Sequence, residues 1–386
     1  MPALAGKTYF NYGGQGPLPT ASLEAIQECW RSIQELGPFT TAVWPMVEGT
    51  VARLRQRLAH WLGVGTHRLA FTENVTSGCV LPLWGLPWRP GETLLLSDCE
   101  HPGVVAACQE LARRHQLEIR RLAIADLTAS PAQAEAEVLE RLQAALTPQT
   151  RLVVISHLLW NTGQLMPIAA IAEQLRQHPA EPWLLVDAAQ SLGSIPVHEA
   201  AAAADIYACT GHKWCCGPEG LGVVALSERL LEQARPTLIG WRSLSHEGDG
   251  SSDFHRDARR FEVATSCIPL FAGLDRSLQL LEAEGSAAER LERIKQRSGQ
   301  LWAGLQQIPE LETLLSVAPP AGLVSFRRRD TWPEAAAAAA VDQLGRQQIW
   351  LRHLEDPVCL RACTHVVSSD ADVELLLAAL AELNGQ

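Results

Sequence analysis

Lys213 is the residue whose type and surroundings most favour covalent chemistry. It lies in the segment Ala208–Trp214, directly after a predicted buried strand, where open α/β sheets place functional groups. A buried ammonium without a partner is costly, and burial lowers the pKa of a lysine, which favours a Schiff base. The chain has only three lysines, Lys7, Lys213 and Lys295, as candidate amine nucleophiles. The other interpretation is a surface-loop lysine in a salt bridge.

Asp187 ends a predicted apolar strand, Trp183–Asp187, and is the second residue suited to chemistry. A carboxylate at the end of a buried strand is expensive unless it faces a cation. The protonated pyridine nitrogen of pyridoxal phosphate is such a cation, and an aspartate partner belongs to the binding pattern of that cofactor. Gln190 can donate to the phenolate oxygen of the same cofactor. A lone aspartate here can also be a helix cap, but its combination with Lys213 favours the cofactor.

A phosphate group would need hydrogen-bond donors near these two residues. The segment Phe71–Gly78 follows the first predicted core strand and leads into a helix, so Thr76 and the backbone N–H groups would meet an anion at a helix N-terminus. Thr210 and His212 flank Lys213 and can donate to the same phosphate. Thr76 can equally be a plain helix cap. The glycines after Lys213 do not form a GxGxxG motif, which disfavours a dinucleotide.

Seven short apolar runs predict the strands that position these residues. Because the runs are apolar nearly throughout, they are typical of strands buried on both faces of a helix-covered, mainly parallel sheet. Helical spacing in Val104–His115, Pro131–Ala145 and Pro167–Gln177 completes an α/β pattern. The predicted strands are Leu69–Thr72, Leu94–Ser97, Ile119–Leu122, Leu152–Ser156, Trp183–Asp187, Ile206–Thr210 and Gly222–Leu226.

The rest of the chain predicts two further parts. Thr20–Leu36 and Met46–Leu62 have helical patterns before the sheet. After it, two helices are followed by strand Gly322–Arg327, helix Glu334–Gln347, strands Trp350–His353 and Val358–Cys363, and helix Asp370–Leu383. We therefore predict an N-terminal segment (1–20) that packs with a small domain, a large cofactor-binding domain (21–265) and a small C-terminal α+β domain (266–386).

Composition excludes several classes of protein. Hydrophobic residues make up 47% and charged residues 19% of the 386 residues, which is typical of a globular protein. The formal net charge of −11 argues against a nucleic-acid binder. No apolar run reaches the roughly 18 residues of a membrane span, and the first residues lack the pattern of a signal peptide. We expect a cytoplasmic protein with no membrane or nucleic-acid partner.

The ten cysteines are too sparse for a disulfide scaffold, and none form a CxxC motif. Their spacing predicts reduced, mostly buried thiols and no metal site.

Five segments in order carry a resemblance to a known family: Tyr9–Gly16, Glu100–His101, Trp160–Gly163, Asp187–Gln190 and Thr210–Trp214. Together they resemble the cysteine desulfurase family of fold-type I pyridoxal-phosphate enzymes (aminotransferase class V), over nearly the whole chain. In detail the sequence is most similar to the L-cysteine/cystine C–S lyase branch of that family. The resemblance implies a mainly parallel seven-stranded sheet covered by helices, a smaller α+β domain, pyridoxal 5′-phosphate as cofactor, and a homodimer with shared active sites.

The resemblance also implies which residues bind the cofactor. Lys213 would carry the covalent bond to it and act in catalysis, and Asp187 would pair with its pyridinium nitrogen. His101 would stack over the ring and take part in catalysis, although such a histidine is more often an ordinary hydrogen-bonded residue. The other contacts would come from Gln190 and Asn161 at the phenolic oxygen, from Thr76, Thr210 and His212 at the phosphate, and, across the dimer interface, from Thr265.

An amino-acid substrate needs a cation for its carboxylate, and arginine supplies two parallel donors where lysine does not. Arg361 matches the carboxylate-binding arginine of the family. Arg352 lies one predicted strand earlier and is expected to face the same cleft, where it would bind the distal carboxylate of cystine. Trp241 matches an active-site segment and would form a wall of the substrate site; without the resemblance it reads as a core residue.

The arrangement of cysteines favours a lyase over a desulfurase. A desulfurase takes sulfur onto a cysteine of a mobile loop near the carboxylate arginine, whereas here only Cys359 lies between Arg352 and Arg361, within a predicted strand, and residues 301–350 contain no cysteine. We predict β-elimination of L-cystine or L-cysteine to pyruvate, ammonia and persulfide or sulfide, with the sulfur used in iron–sulfur cluster assembly. The alternatives are a cysteine or selenocysteine desulfurase, another class V activity such as an epimerase, and a non-enzymatic scaffold. The preferred substrate and the sulfur acceptor stay open.

Overall fold

The computed structural model describes residues 1–246 and 253–384, which contain thirteen strands and twelve α-helices. The strands are β1 (Thr8–Tyr9), β2 (Leu69–Thr72), β3 (Thr93–Ser97), β4 (Glu118–Leu122), β5 (Thr150–Ser156), β6 (Trp183–Asp187), β7 (Ile206–Thr210), β8 (Gly222–Leu226), β9 (Leu311–Thr313), β10 (Leu323–Arg328), β11 (Ile349–Trp350), β12 (Arg352–Glu355) and β13 (Val358–Cys363). The helices are α1 (Thr20–Leu36), α2 (Trp44–Leu62), α3 (Val75–Trp84), α4 (Pro102–His115), α5 (Pro131–Ala145), α6 (Ile168–Gln177), α7 (His198–Ala203), α8 (Glu228–Gln233), α9 (Ile268–Ala283), α10 (Ala287–Leu305), α11 (Glu334–Arg346) and α12 (Asp370–Asn384).

The central sheet has seven strands in the order β2-β8-β7-β6-β5-β3-β4. Neighbours from β7 to β4 run parallel, and β8 is antiparallel to both β2 and β7. Alternate residues of β5 enter two different apolar clusters, Val153 in one and Leu152 and Val154 in the other. Since successive side chains of a strand point to opposite faces, both faces of the sheet are covered, as the continuous apolar runs predict.

The seven predicted strands coincide with β2 to β8 to within two residues at each end, but the prediction of two buried faces is wrong for β4. Its sequence, Glu-Ile-Arg-Arg-Leu, leaves Glu118, Ile119, Arg120 and Arg121 exposed and only Leu122 buried. The reason is position, because β4 is the edge strand and pairs with β3 alone. Charged residues on an edge also disfavour pairing with another chain.

A four-stranded antiparallel sheet, in the order β12-β13-β10-β9, forms the smaller α+β unit with α10, α11 and α12. The predicted single strand Trp350–His353 is wrong, because Leu351 separates β11 from β12. β11 pairs in parallel with β1, so the N-terminal segment is joined to this unit, while β12 pairs with β13. Helix α9 packs against α1 and α2, and the division at residue 265 stays a prediction.

No helix within the described ranges combines the length and the apolar character that crossing a bilayer requires.

Gly16 places the N-terminal segment against the loop that carries Lys213. Its N–H donates to the carbonyl oxygen of His212 at 2.8 Å, and a Cβ at this position would overlap the carbonyl oxygen of Lys213. Only glycine therefore allows this close backbone contact.

We expect Gly16→Ala to lower the free energy of unfolding by about 2 kcal/mol, because the added methyl group must displace backbone. The matched control is Gly299→Ala in α10, where an added Cβ meets nothing within 4 Å and helix propensity favours alanine by about 0.5–1 kcal/mol. Denaturant unfolding of both variants checks the expectation, and equal stabilities would contradict it.

Candidate active site

Asp187 and Lys213 are brought together by two adjacent parallel strands. Asp187 is the last residue of β6, and Lys213 follows the end of β7 by three residues. Because the carboxyl ends of parallel strands meet at one edge of the sheet, both side chains enter one pocket. Its volume is about 80 Å³, and its lining is Gly13, Val75, Thr76, His101, Ser156, Leu158, Trp160, Asp187, Ala189, Gln190, Lys213, Arg352 and Arg361.

Lys213 is partly buried and forms no salt bridge with the described residues. Burial lowers the pKa of its ammonium to about 8, the negative charge of Asp187 opposes this shift, and the positive charges of Arg361 and Arg352 add to it. A substantial share of neutral amine is therefore present at mildly alkaline pH, as a nucleophile or proton acceptor requires.

Asp187 is 5% exposed and accepts one hydrogen bond, from the backbone N–H of Ala189 at 2.9 Å. Burial raises the pKa of this carboxyl, whereas that hydrogen bond and the charges of Lys213 and His101 lower it. A buried carboxylate with a single hydrogen bond is prepared for a cationic partner in the pocket.

His101 caps helix α4, where its Nδ1 accepts from the N–H of Gly103 at 3.2 Å. Its ring lies 6.0 Å from the ring of Trp160 in an edge-to-face arrangement. Burial lowers the pKa of His101, so the neutral ring is favoured. Both rings border the pocket and the larger cleft outside it.

Gln190 is held by hydrogen bonds to the N-terminal segment and to the loop that follows β7. Its Nε2 donates to the carbonyl oxygen of Gly13 at 2.9 Å, and its Oε1 accepts from Trp214 Nε1 at 2.8 Å. A Cβ on Gly13 would lie 2.9 Å from Cys363 Sγ, 3.0 Å from Gln190 Oε1 and 3.1 Å from Arg361 Nη2. Gly13 therefore borders the pocket so closely that a side chain at this position would have to displace these neighbouring side chains.

The residues predicted to bind phosphate lie in two places. Thr76 lines the pocket within the first turn of α3, and the cap of that helix is Asn74, whose side chain accepts from the N–H of Ser77 at 2.9 Å. The interpretation of Thr76 as the cap is therefore wrong. Thr210 Oγ1 and His212 Nδ1 lie 2.7 Å apart as a hydrogen-bonded pair next to Lys213, outside the pocket lining.

Asn161 lines the outer cleft beside Trp160 rather than the pocket. It is 4% exposed, and its Oδ1 accepts from the N–H of Thr162 at 2.9 Å. The outer cleft has a volume of about 760 Å³ and shares His101, Trp160 and Arg352 with the pocket.

Arg352 and Arg361 face each other across β12 and β13, at directly paired positions of the antiparallel register. Arg361 is 1% exposed and donates from Nη1 to the carbonyl oxygen of Trp160 at 2.8 Å, while its Nε and Nη2 have no hydrogen-bond partner among the described residues. Arg352 is exposed, and partial burial together with the charge of Arg361 lowers its pKa.

Trp241 and Thr265 lie together outside the pocket, with Trp241 Nε1 donating to Thr265 Oγ1 at 3.4 Å. Both line an apolar groove of about 250 Å³ with Trp30, Phe39 and Trp44. Trp241 is 41% exposed, so its interpretation as a core residue is wrong.

Sequence reasoning missed Ser156, Trp214 and Cys363 as neighbours of the site. The segment Asn11–Gly16 was part of the resemblance, but its role in covering Arg361 and Gln190 depends on tertiary contacts.

Comparison with known proteins identifies the family. The family model described as aminotransferase class V matches residues 9–374, and the chain belongs to this family. A solved complex between the cystine C–S lyase C-DES and its reaction product cysteine persulfide shares 43% identity, covers 99% of each chain and superposes with a TM-score of 0.93. The predicted family and the fold-type I class are thereby confirmed.

Two curated relatives are similar over part of their length. The isopenicillin N epimerase of Streptomyces clavuligerus is 32% identical over 241 residues, which is 62% of this chain and 58% of that protein. A probable cysteine desulfurase of Pseudomonas aeruginosa PAO1 is 32% identical over 244 residues, which is 61% of this chain and 58% of that protein. The aligned region thus spans less than two thirds of either relative.

The electrostatics of the pocket predict the titration of Lys213. In the cofactor-free protein, trace acetylation should label Lys213 with a midpoint at about pH 8. In Asp187→Asn the midpoint should be lower, because the carboxylate that stabilises the ammonium is gone.

Mass spectrometry of the labelled peptides measures both midpoints. Lys295, whose ammonium forms an exposed salt bridge with Glu292, is the internal control and should respond equally in both proteins. An unchanged or higher midpoint for Lys213 in Asp187→Asn would contradict this description of the pocket.

Proposed function

We propose that this enzyme cleaves L-cystine by β-elimination to pyruvate, ammonia and cysteine persulfide. It is a pyridoxal-phosphate-dependent enzyme of aminotransferase class V that acts on carbon–sulfur bonds. The observation that carries the choice of substrate is the pair of arginines at the pocket, which have no carboxylate partner among the described residues.

Arg352 and Arg361 are directly opposite across β12 and β13. Like charges in that position destabilise a sheet. Arg361 is in addition almost fully buried, and two of its nitrogens have no hydrogen-bond partner in the part of the chain that the structure describes. An arginine in that state favours a bound anion. Arg352 is exposed but likewise has no carboxylate partner among the described residues. The two cations together suit a ligand with two carboxylates, and L-cystine has two where L-cysteine has one.

The space around the arginines supports the same substrate. Arg361 borders only the small pocket, whereas Arg352 borders both the pocket and the outer cleft. We infer that Arg361 binds the carboxylate of the reacting half and Arg352 that of the distal half. The outer cleft, at about 760 Å³, has room for that second half.

The residues present fit pyridoxal phosphate. Asp187 is a buried carboxylate with no salt-bridge partner among the described residues, so it can pair with a pyridinium nitrogen. Lys213 is the only one of the three lysines in the pocket. The groups that would complete the site are Gln190 and Asn161 for the phenolic oxygen, Thr76, Thr210 and His212 for the phosphate, and His101 for the ring.

Bound pyridoxal phosphate supplies an electron sink for a carbanion at Cα of the substrate. Lys213 Nζ, neutral when its proton is lost near pH 8, takes the Cα proton, and the Cβ–S bond breaks with its electron pair leaving on sulfur. That sulfur receives a proton and departs as cysteine persulfide. With one water, the remaining three-carbon fragment gives pyruvate and ammonia, so atoms and electrons balance.

A second copy of the chain is the proposed partner. Trp241 and Thr265 lie away from the pocket of their own chain, on a surface with exposed apolar side chains at Phe39 (82% exposed) and Trp30 (48%). Large exposed apolar patches are typical of interaction sites. In a dimer across this surface, Thr265 would reach the phosphate in the other subunit and Trp241 would border that substrate site.

A cysteine desulfurase is the second candidate, and Cys363 is the observation in its favour. Its Sγ lies beside Gly13 close to Arg361, nearer to the site than the sequence indicated. Cys363 is fully buried in β13, however, and Cys267 is the one exposed cysteine of the ten. A thiol held in a strand lacks the mobility that sulfur transfer from a substrate needs, which favours elimination. An epimerase remains the alternative that the Streptomyces relative represents.

The sulfane sulfur of a persulfide is suited to iron–sulfur cluster assembly, and we propose that use for the product. A cytoplasmic location stays a prediction.

Substitution of the two arginines tests whether the site binds one carboxylate of the substrate or two. We expect Arg352→Ala to raise KM for L-cystine about tenfold or more, since a hydrogen bond between charged groups contributes about 1.5–3 kcal/mol. It should leave KM for L-cysteine nearly unchanged. Arg361→Lys should raise KM for both substrates, because a point charge replaces two parallel donors.

Pyruvate release measures the kinetics, and Lys213→Ala should release none. The matched control is Arg327→Ala, because Arg327 also lines the outer cleft but forms a salt bridge with Glu312 at 2.7 Å. If Arg352→Ala changed KM for both substrates equally, or for neither, the assignment of a second carboxylate to Arg352 would fail.

A further inference from the structure

Glu100 is a buried carboxylate that the mechanism above does not use. It lies between the end of β3 and the start of α4 and is 7% exposed. Its Oε1 accepts from Ser97 Oγ at 2.5 Å and from the N–H of Ser156 at 2.8 Å, and its Oε2 lies 3.0 Å from Ser156 Oγ. Ser97 ends β3 and Ser156 ends β5, so this carboxyl group joins two strands at the active-site edge of the sheet.

Asp187 lies on the other side of Ser156. The two residues are paired in the register of β5 and β6, and the negative charge of Asp187 disfavours ionisation of Glu100. Two buried carboxylates in such proximity do not ionise independently, because like charges in a low-dielectric region repel strongly. One member of the pair is therefore expected to hold a proton more firmly than the other.

The hydrogen bonds indicate which member holds it. Oε2 of Glu100 contacts only a hydroxyl, and a hydroxyl can accept as well as donate. Oε2 can therefore carry the proton and donate a hydrogen bond to Ser156 Oγ. Oε1 still accepts hydrogen bonds from Ser97 Oγ and from the N–H of Ser156. Burial raises the pKa of Asp187 as well, but Asp187 accepts from a backbone N–H and faces the ammonium of Lys213, both of which stabilise its ionised form.

We propose that Glu100 is a positioning residue that holds the proton of the Glu100–Asp187 pair, so that Asp187 stays ionised for a cation in the pocket. The proposal rests on the proposed function only in taking the pyridinium nitrogen of pyridoxal phosphate as that cation. The same network keeps the ends of β3 and β5 in register beside His101.

The other described titratable groups that face the pair are thiols, the phenol of Tyr207 and the two bases of the pocket. Burial raises the pKa values of Cys79 on α3, of Cys108 on α4 and of Cys99, the last two to about 12. It also raises those of Tyr207 and Cys209 on β7, so all of these groups are neutral near pH 7. Lys213 and His101 also face Asp187, and both are titratable. A variant at Glu100 is therefore needed to isolate its contribution.

Burial and the charge of Asp187 raise the pKa of Glu100 to about 7, against hydrogen bonds from Ser97 and Ser156 that lower it. A folded-state pKa above the ordinary 4.5 means that the folded protein binds the proton more tightly than the unfolded chain. Stability from this group is complete below about pH 4.5 and is lost as the pH rises to about 7. Glutamine keeps the shape of the neutral acid and has no such loss.

The test compares the thermal unfolding of the cofactor-free wild type and Glu100→Gln between about pH 5 and pH 8. The melting temperature of Glu100→Gln minus that of the wild type should increase with pH up to about 7 and then level off. The control is Glu262→Gln, because Glu262 is also buried but forms a salt bridge with Arg55 at 2.6 Å. It should show no such increase. A difference for Glu100→Gln that does not vary with pH would overturn the proposal.

A second measurement keeps the test independent of the folding of any variant. Infrared difference spectra of the wild type between about pH 6 and pH 8 should show loss of the carbonyl band of a protonated carboxyl, and absence of that band would overturn the proposal. In the holoenzyme, a change of the cofactor absorbance with a midpoint near pH 7 should disappear in Glu100→Gln. Failure of the cofactor to bind would refute the proposed function but leave both cofactor-free measurements valid.

Discussion

This active site depends on charged side chains that are buried together but do not neutralise one another. Asp187 and Lys213 emerge from neighbouring parallel strands into one pocket, yet they form no salt bridge there. A fold that places a carboxylate, an amine and the guanidinium of Arg361 in such a space loses stability that the remaining core must offset. Binding of a charged ligand would recover this lost stability, because the ligand would neutralise the buried charges. The electrostatics of the pocket therefore favour binding of a charged cofactor and substrate.

The surrounding elements serve this arrangement in different ways. The central sheet places Asp187 and the loop of Lys213 at the same edge, because β6 and β7 are parallel. The small antiparallel sheet supplies the two arginines, one deep in the pocket and one at its mouth. The N-terminal segment borders the pocket through Gly13, next to Cys363 and Arg361 of the small unit, and Gly16 places its backbone against the loop of Lys213.

The sequence predicts the parts of this account that depend on local pattern. The apolar runs of β6 and β7 are continuous, so their ends, and with them Asp187 and Lys213, can be located without coordinates. Edge position cannot be read from such a run, and for that reason the prediction of two buried faces is wrong for β4. Pairings between distant segments are equally inaccessible. The register that sets Arg352 opposite Arg361, the contact of Glu100 with Ser156 and the position of Cys363 beside Gly13 all arise from tertiary packing.

We propose that the pocket directs a carbanion toward loss of the β-sulfur without a protein thiol. The most direct measurement is to incubate the purified holoenzyme with L-cystine in the absence of any reducing thiol and to quantify pyruvate and alanine. β-Elimination predicts one pyruvate for each cystine consumed and no alanine. If L-cystine stayed intact in that incubation and a parallel incubation with L-cysteine accumulated alanine, this proposal would be contradicted and sulfur transfer to a cysteine would be identified instead.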